Sequence, residues 1–230
     1  MKKPEFIYFD IDDTLLDHMS AQQAALKSVY HHFPCLQQVG LDDFQLAYKR
    51  INSALWERYS LGEIDRPYLE QHRFTDTFDS LGIKCSPFRD IATFYMADYR
   101  SHWSWIEGAE KALERLSESY NVGFITNGFT ETQKLKALDF RLNRFSETVI
   151  ISEEVGFLKP HPQIFKFAEE KAGAEQEAIL YVGDSLSSDV RGGKSAGWQV
   201  AWFTARENND NDFPADFMFN QFDHLVEKLS

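Results

Sequence analysis

At 230 residues the chain is long enough for one large α/β domain, or for a core carrying an inserted second one, and either can bury a substantial hydrophobic core. With 43% hydrophobic, 15% aromatic and 26% charged residues it falls in the ordinary globular class, without low-complexity tracts or a repeat of fixed period. A formal charge of −12 argues against a nucleic-acid polymer or an anionic membrane as partner, because both reward clustered Lys and Arg. An acidic protein that must hold an anionic substrate needs a local cation or a ring of backbone N–H donors to overcome its own field.

The first apolar run, Phe6-Ile7-Tyr8-Phe9, is short, β-prone and unbroken, as expected of a strand buried on both faces of a parallel sheet. It ends at a carboxylate, Asp10. From Leu16 to about Trp103 the pattern is helical only, with segments at 20–33, 42–61, 66–81 and 87–102 punctuated by Gly40, Gly62, Gly82 and Pro87. A helical block placed straight after a first strand predicts an inserted cap over residues 16–103. The core is then 1–15 with 104–230, resuming near Trp105-Ile106-Glu107-Gly108.

Beyond that point strands and helices alternate. A helix at 107–119 leads to a strand at 122–125 that runs into Thr126-Asn127-Gly128, and a helix at 131–138 leads to a short strand at 149–151. A helix at 162–171 precedes a strand at 179–182 that runs into Gly183-Asp184-Ser185; a helix at 189–196 precedes a strand at 200–203. This alternation implies βαβ units, hence an α/β fold with a Rossmann-like parallel sheet that binds ligands at the carboxyl ends of its strands. Cys35 and Cys85 lie in no metal-ligand or redox spacing and are expected to be separate, buried or half-buried small apolar groups. Neither a signal peptide nor an apolar run of membrane-spanning length is evident, so the expected compartment is the cytoplasm.

The stretch with the most chemistry is Phe9-Asp10-Ile11-Asp12-Asp13-Thr14-Leu15. Three carboxylates in four positions repel one another, and a strand end that gathers them must neutralise them with hydrogen bonds, protons or a cation. A hard divalent ion suits such oxygens, Mg²⁺ over zinc, although an Asp-rich turn can also simply cap a helix. Thr126-Asn127-Gly128 offers a hydroxyl, an amide and a flexible glycine able to wrap a phosphoryl group, and is equally compatible with a plain turn. Lys159, ahead of Pro160 and a helix, is placed to neutralise an attacking carboxylate and phosphoryl oxygens, or to sit solvated at the surface. Asp184 and Asp189, five residues apart, suit one direct metal ligand and one carboxylate behind it that orients water or Lys159; Asp189 also suits helix capping.

Taken in this order, these elements resemble the haloacid-dehalogenase-like (HAD) hydrolase superfamily. Asp10-Ile11-Asp12-Asp13-Thr14 is similar to its first motif, Thr126 to its second, Lys159 to its third, and Asp184 with Asp189 to its fourth; the helical insertion resembles its C1 cap. The resemblance implies that Asp10 attacks phosphorus to form an aspartyl-phosphate while Asp12 serves as general acid and then as general base. It further implies Mg²⁺ held by Asp10, the Asp12 backbone carbonyl and Asp184, with Thr126, Asn127 and Lys159 binding the transferring phosphoryl group and the cap excluding water. Asp12 disfavours dehalogenation, because the superfamily's haloalkanoate dehalogenases lack an acid/base aspartate there. The implied substrate is a small phosphate monoester.

The run Ile125-Thr126-Asn127-Gly128-Phe129-Thr130-Glu131-Thr132-Gln133 resembles the corresponding region of the bacterial pyrimidine 5′-nucleotidases in this superfamily. A nucleoside monophosphate is therefore the expected substrate, with a sugar phosphate or other small organophosphate as the alternative and a phosphoacceptor signalling module as the non-enzyme alternative. Trp56, Tyr59, Tyr95, Tyr99, Trp103 and Trp105 are the aromatics of the expected cap region able to stack a base or to form helix core.

Overall fold

The computed structural model describes residues 2–85, 88–205 and 215–230. The chain opens with β1 (Phe6–Phe9) and leaves for four helices, α1 (His18–His32), α2 (Leu41–Ser60), α3 (Arg66–Ser80) and α4 (Phe88–Ser101). It continues through α5 (Ala109–Ser117), β2 (Asn121–Thr126), α6 (Thr130–Asp139), β3 (Val149–Ile151), α7 (Ser152–Val155) and α8 (Pro162–Ala172). The remainder is β4 (Ile179–Gly183), α9 (Arg191–Ser195), β5 (Gln199–Phe203), β6 (Phe217–Phe219) and α10 (Phe222–Leu229). These elements form two compact units, one from the chain up to Asp17 with Trp105–Ser230, the other His18–Ser104.

The first unit is a Rossmann-like α/β layer structure, as the alternation of strands and helices predicts. Its six strands are parallel in the order β3-β2-β1-β4-β5-β6. Every residue of β1, β4 and β5 is buried, and their side chains alternate between two cores as strand geometry requires. Ile7, Phe9, Leu180, Val182, Ala201 and Phe203 enter one core, which α5 and α10 cover with Leu113, Leu116, Leu225 and Leu229. Phe6, Tyr8, Ile179, Tyr181, Val200 and Trp202 enter the other, covered by Ile164, Phe165 and Ala168 of α8. Burial on both faces explains why these runs are unbroken rather than alternating.

The sheet order also fixes where a ligand can bind. From β1 the chain moves to β2 and β3 on one side, then to β4, β5 and β6 on the other, so the boundary between β1 and β4 is the topological switch point where an open parallel sheet forms its crevice. Phe9 is in register with Phe124 of β2 and Val182 of β4, which brings the ends of three strands to one edge. The inserted helices leave from a short neck: Leu16 bridges Trp105 antiparallel, and the Ile106 N–H donates to the Leu15 carbonyl at 2.8 Å.

The second unit is helical. α1 packs on α4 and α2 on α3 around a core that includes Ala21, Ala25 and Val29 of α1, Phe44 and Tyr48 of α2, Phe74 and Phe78 of α3, and Ile91, Tyr95 and Tyr99 of α4. The spacing of four residues within each helix is that of a one-faced apolar stripe. Asp65 starts α3 by accepting from the Tyr68 N–H at 2.9 Å, with Pro67 in the first turn.

Several expectations change. β6 and α10 were not evident in the sequence: the strand is only three residues, Phe217-Met218-Phe219, and has no period of its own. The helix expected at 189–196 is a π turn, Leu186–Val190, followed by the five residues of α9. Pro87, expected to open a helix, lies outside the described residues. Trp105 belongs to the α/β unit, edge-on to Phe140 with centroids 5.3 Å apart, and is not a cap aromatic. Cys35 and Cys85, expected as separate thiols, are joined as a disulfide with Cα atoms 5.5 Å apart. Among the described residues no helix is long and apolar enough to cross a membrane.

Candidate active site

Asp10 follows β1 at the switch point and is 5% exposed. The Lys159 ammonium donates to its Oδ1 at 2.6 Å, and Thr14 donates to its Oδ2 at 3.2 Å. Thr14 also lies 3.2 Å from Asp184 Oδ1, linking the carboxylates that follow β1 and β4. Lys159 is itself buried; its Nζ lies 2.8 Å from Asp189 Oδ1, 2.7 Å from the Tyr181 hydroxyl and 3.1 Å from the Ile125 carbonyl. Asp189 accepts the Ser185 N–H at 3.0 Å through its other oxygen. It thus holds both Lys159 and the loop after β4.

The two Asn127 side-chain groups are spent on the Lys159 backbone: Nδ2 donates to the carbonyl at 2.9 Å and Oδ1 accepts the N–H at 2.8 Å. A primary amide matches a peptide's acceptor and donor, so Asn127 fastens the Lys159 loop to the end of β2 instead of offering its side chain to a phosphoryl group. Thr126 is the reverse case. Its hydroxyl is fully buried at the strand end and has no partner among the described residues. An unpaired buried hydroxyl costs on the order of 1–3 kcal/mol, which a ligand oxygen would restore.

Asp12 stands apart from the Lys159 cluster. Gln133 of α6 donates to its Oδ2 at 2.8 Å, and Lys136 of the same helix is ion-paired to its Oδ1. Residue-type reasoning missed Gln133 and Lys136 as site groups, together with Thr14 and Tyr181. A glutamine and a lysine three residues apart on the helix after Thr126-Asn127-Gly128 were the available signal.

Electrostatics point to a cation. Carboxylate oxygens of Asp10, Asp184 and Asp189 lie within 4.8 Å of one another. Burial pushes the Asp10 carboxyl up to about 7; Lys159 opposes this, while the Asp189 and Asp12 charges add to it. Burial and the charges of Asp189, Asp10 and Asp13 likewise hold Asp184 well above the usual carboxylate range. For Lys159, burial works against the charged form, but the Asp10 and Asp189 charges and hydrogen bonds more than offset it and raise the group above the usual lysine range. The ammonium therefore stays charged, and the raised Asp10 and Asp184 carboxyls are ones whose charge needs a proton or a cation beside it. A hard divalent cation fits this oxygen donor set.

Gly183 sets how closely Asp189 approaches. A Cβ at Gly183 would lie 2.5 Å from Asp189 Oδ2 and 2.6 Å from its Cβ and Cγ. Gly183→Ala is therefore expected to displace Asp189, loosen Lys159 and lower the melting temperature by several degrees; an unchanged melting temperature and activity would contradict this packing.

The family model for haloacid dehalogenase-like hydrolases matches residues 5–197. That span takes in both sides of the switch point with Asp10, Asp12, Thr126, Lys159, Asp184 and Asp189. The chain belongs to the haloacid dehalogenase-like hydrolase family. Among its HAD relatives, pyrimidine 5′-nucleotidase YjjG of Escherichia coli is 31% identical over 236 residues, covering 99% of this chain and 98% of that one. Glyceraldehyde 3-phosphate phosphatase of Pyrococcus furiosus is also 31% identical, over 242 residues, covering 100% and 94%. The magnesium-bound structure of the putative HAD-hydrolase YfnB of Bacillus subtilis superposes with a TM-score of 0.83 at 27% identity, covering 100% of both chains.

Proposed function

We propose that this HAD hydrolase is a Mg²⁺-dependent phosphatase for small phosphate monoesters, with nucleoside monophosphates as preferred substrates. The observation that carries the reading is Asp10 at the switch point: one oxygen bonded to Lys159, neighbouring carboxylates suited to a hard cation, and the buried Thr126 hydroxyl unpartnered.

In this reading Asp10 attacks phosphorus and carries the phosphoryl group as an aspartyl-phosphate. Lys159 and Thr126 hold the transferring oxygens, with Asn127 and Asp189 keeping the Lys159 loop and ammonium in place. Asp12 donates a proton to the leaving oxygen and then takes one from the attacking water. Asp10, Asp184 and the Asp12 backbone carbonyl would hold Mg²⁺, with Asp189 behind them; when bound, the ion offsets the repulsion between an anionic nucleophile and an anionic substrate.

The metal assignment has a direct test. With the Asp10 carboxyl raised to about 7, metal-free protein binds a proton there that the unfolded chain, near 3.8, releases; stability from this group is full below about 4 and is lost as pH rises through about 7. A cation reverses that loss. Mg²⁺ should raise the melting temperature more at pH 8 than at pH 6, and Asp184→Ala should abolish most of the gain. An equal gain in Asp184→Ala would contradict the assignment.

Substrate preference rests on the run from Thr126 to Gln133 and on the relationship to YjjG. Because the phosphoryl contacts are common to all monoesters, discrimination must come from the leaving group. Of the aromatics of the helical unit, Tyr95 and Tyr99 are core, whereas Trp56 and Tyr59 on α2 are half-buried, edge-on to each other with centroids 5.6 Å apart. Pyrimidine nucleoside monophosphates are expected to show higher kcat/KM than adenosine monophosphate or glucose phosphates. The relationship to glyceraldehyde 3-phosphate phosphatase favours the second reading, a small sugar phosphate, and a clear preference for such esters in side-by-side kinetics would establish it instead.

A further inference from the structure

We infer that Gln133 and Lys136 of α6 form a two-point clamp that orients the Asp12 carboxylate for proton transfer. The inference rests on the phosphatase reading and adds two positioning residues to it. Gln133 is 3% exposed and Lys136 1% exposed, whereas the Asp12 side chain is 21% exposed. A partly exposed aspartate left to itself samples several rotamers, and bonds to both of its oxygens remove that freedom.

Each half of the clamp has a feature that core packing does not require. An ammonium is costly to bury unless paired, and here the buried Lys136 is paired with Asp12. The Gln133 Nε2 bonds Asp12, while its buried Oε1 has no partner among the described residues, so the Asp12 bond is what orients the amide. The path of the amide is kept open by Gly128, where a Cβ would lie 2.6 Å from Gln133 Nε2. The start of α6 is itself anchored, the Thr130 N–H donating to Glu153 Oε2 at 2.6 Å. The helix that follows the phosphate-binding turn thus carries the group that aims the acid.

Proton donation matters most for a poor leaving group and little for a good one, which gives the clamp a signature that a general structural role lacks. Lys136→Met and Gln133→Leu keep most of the apolar stem and remove the bonds. In Mg²⁺, kcat/KM for an alkyl phosphate should fall about tenfold to a hundredfold in each, while kcat/KM for p-nitrophenyl phosphate stays within about threefold. Rapid quenching with p-nitrophenyl phosphate should then find more phosphoenzyme in the variants than in the wild type, because the water-activating step has slowed. The retained aryl reaction shows that each variant is folded, and Gln133→Leu carries the test if Lys136→Met is unstable. Equal loss on both esters, or unchanged kinetics, would overturn the clamp and leave the phosphatase reading standing. A wild-type protein inert toward both esters would remove the phosphatase reading and the clamp with it.

Discussion

Asp10→Asn should remove steady-state phosphatase turnover, by a factor on the order of 10⁴ or more, while leaving the protein folded. The amide is nearly isosteric with the carboxylate but is a poor nucleophile. Folding should survive because Lys159 keeps the Asp189 carboxylate at 2.8 Å, the Tyr181 hydroxyl at 2.7 Å and the Ile125 carbonyl at 3.1 Å. Stability near pH 8 should be unchanged or higher, since the carboxyl removed is one that burial already disfavours in its charged form. Circular dichroism and a melting curve beside the activity assay check both halves. Turnover near the wild-type rate in folded Asp10→Asn would remove the nucleophile from the account.

Lys159→Met is expected to fail in the opposite way, in stability as well as catalysis. Lys159 is 3% exposed and its ammonium faces Asp10 and Asp189, so its loss leaves two buried carboxylates facing each other. Breaking a buried ion pair from one side costs roughly 3–5 kcal/mol. Its pH dependence has a definite sign. Lys159 holds the Asp10 carboxyl down against burial, so without it that group rises further above 7 and the folded variant takes up a proton that the unfolded chain does not hold. The deficit relative to wild type should be largest at pH 8 and shrink toward pH 5. Melting curves across that range would detect it, and a deficit independent of pH would contradict the charge argument.

The parts of this site that were legible in the sequence are those that sheet topology places. Asp10, Thr126 and Asp184 each end an unbroken apolar strand, and a parallel sheet brings such ends to one edge, so pattern alone could group them. Lys159 has no such marker; it gained meaning only from its order among the others. What the sequence hid is how side chains are shared. Asn127 was expected at the phosphoryl group, but its amide is saturated by the Lys159 peptide, a pairing across 32 residues that no local spacing encodes. Lys136 looks like an ordinary helix-surface lysine until the fold shows it buried against Asp12. The same holds for Cys35 and Cys85, 50 residues apart, and for Trp105, whose place depends on where the chain re-enters the α/β unit. β6 escaped because three residues are too few to show a period.

The central claim, that Asp10 carries the phosphoryl group, is tested most directly by trapping it. Acid-quenched enzyme from rapid mixing with substrate and Mg²⁺, treated with borohydride, should yield homoserine at position 10, since hydride reduces an acyl phosphate but not a free carboxylate. Asp10→Asn should give none. Phosphate release with no burst of the leaving group and no modification at position 10 would contradict the account and point to direct attack by water.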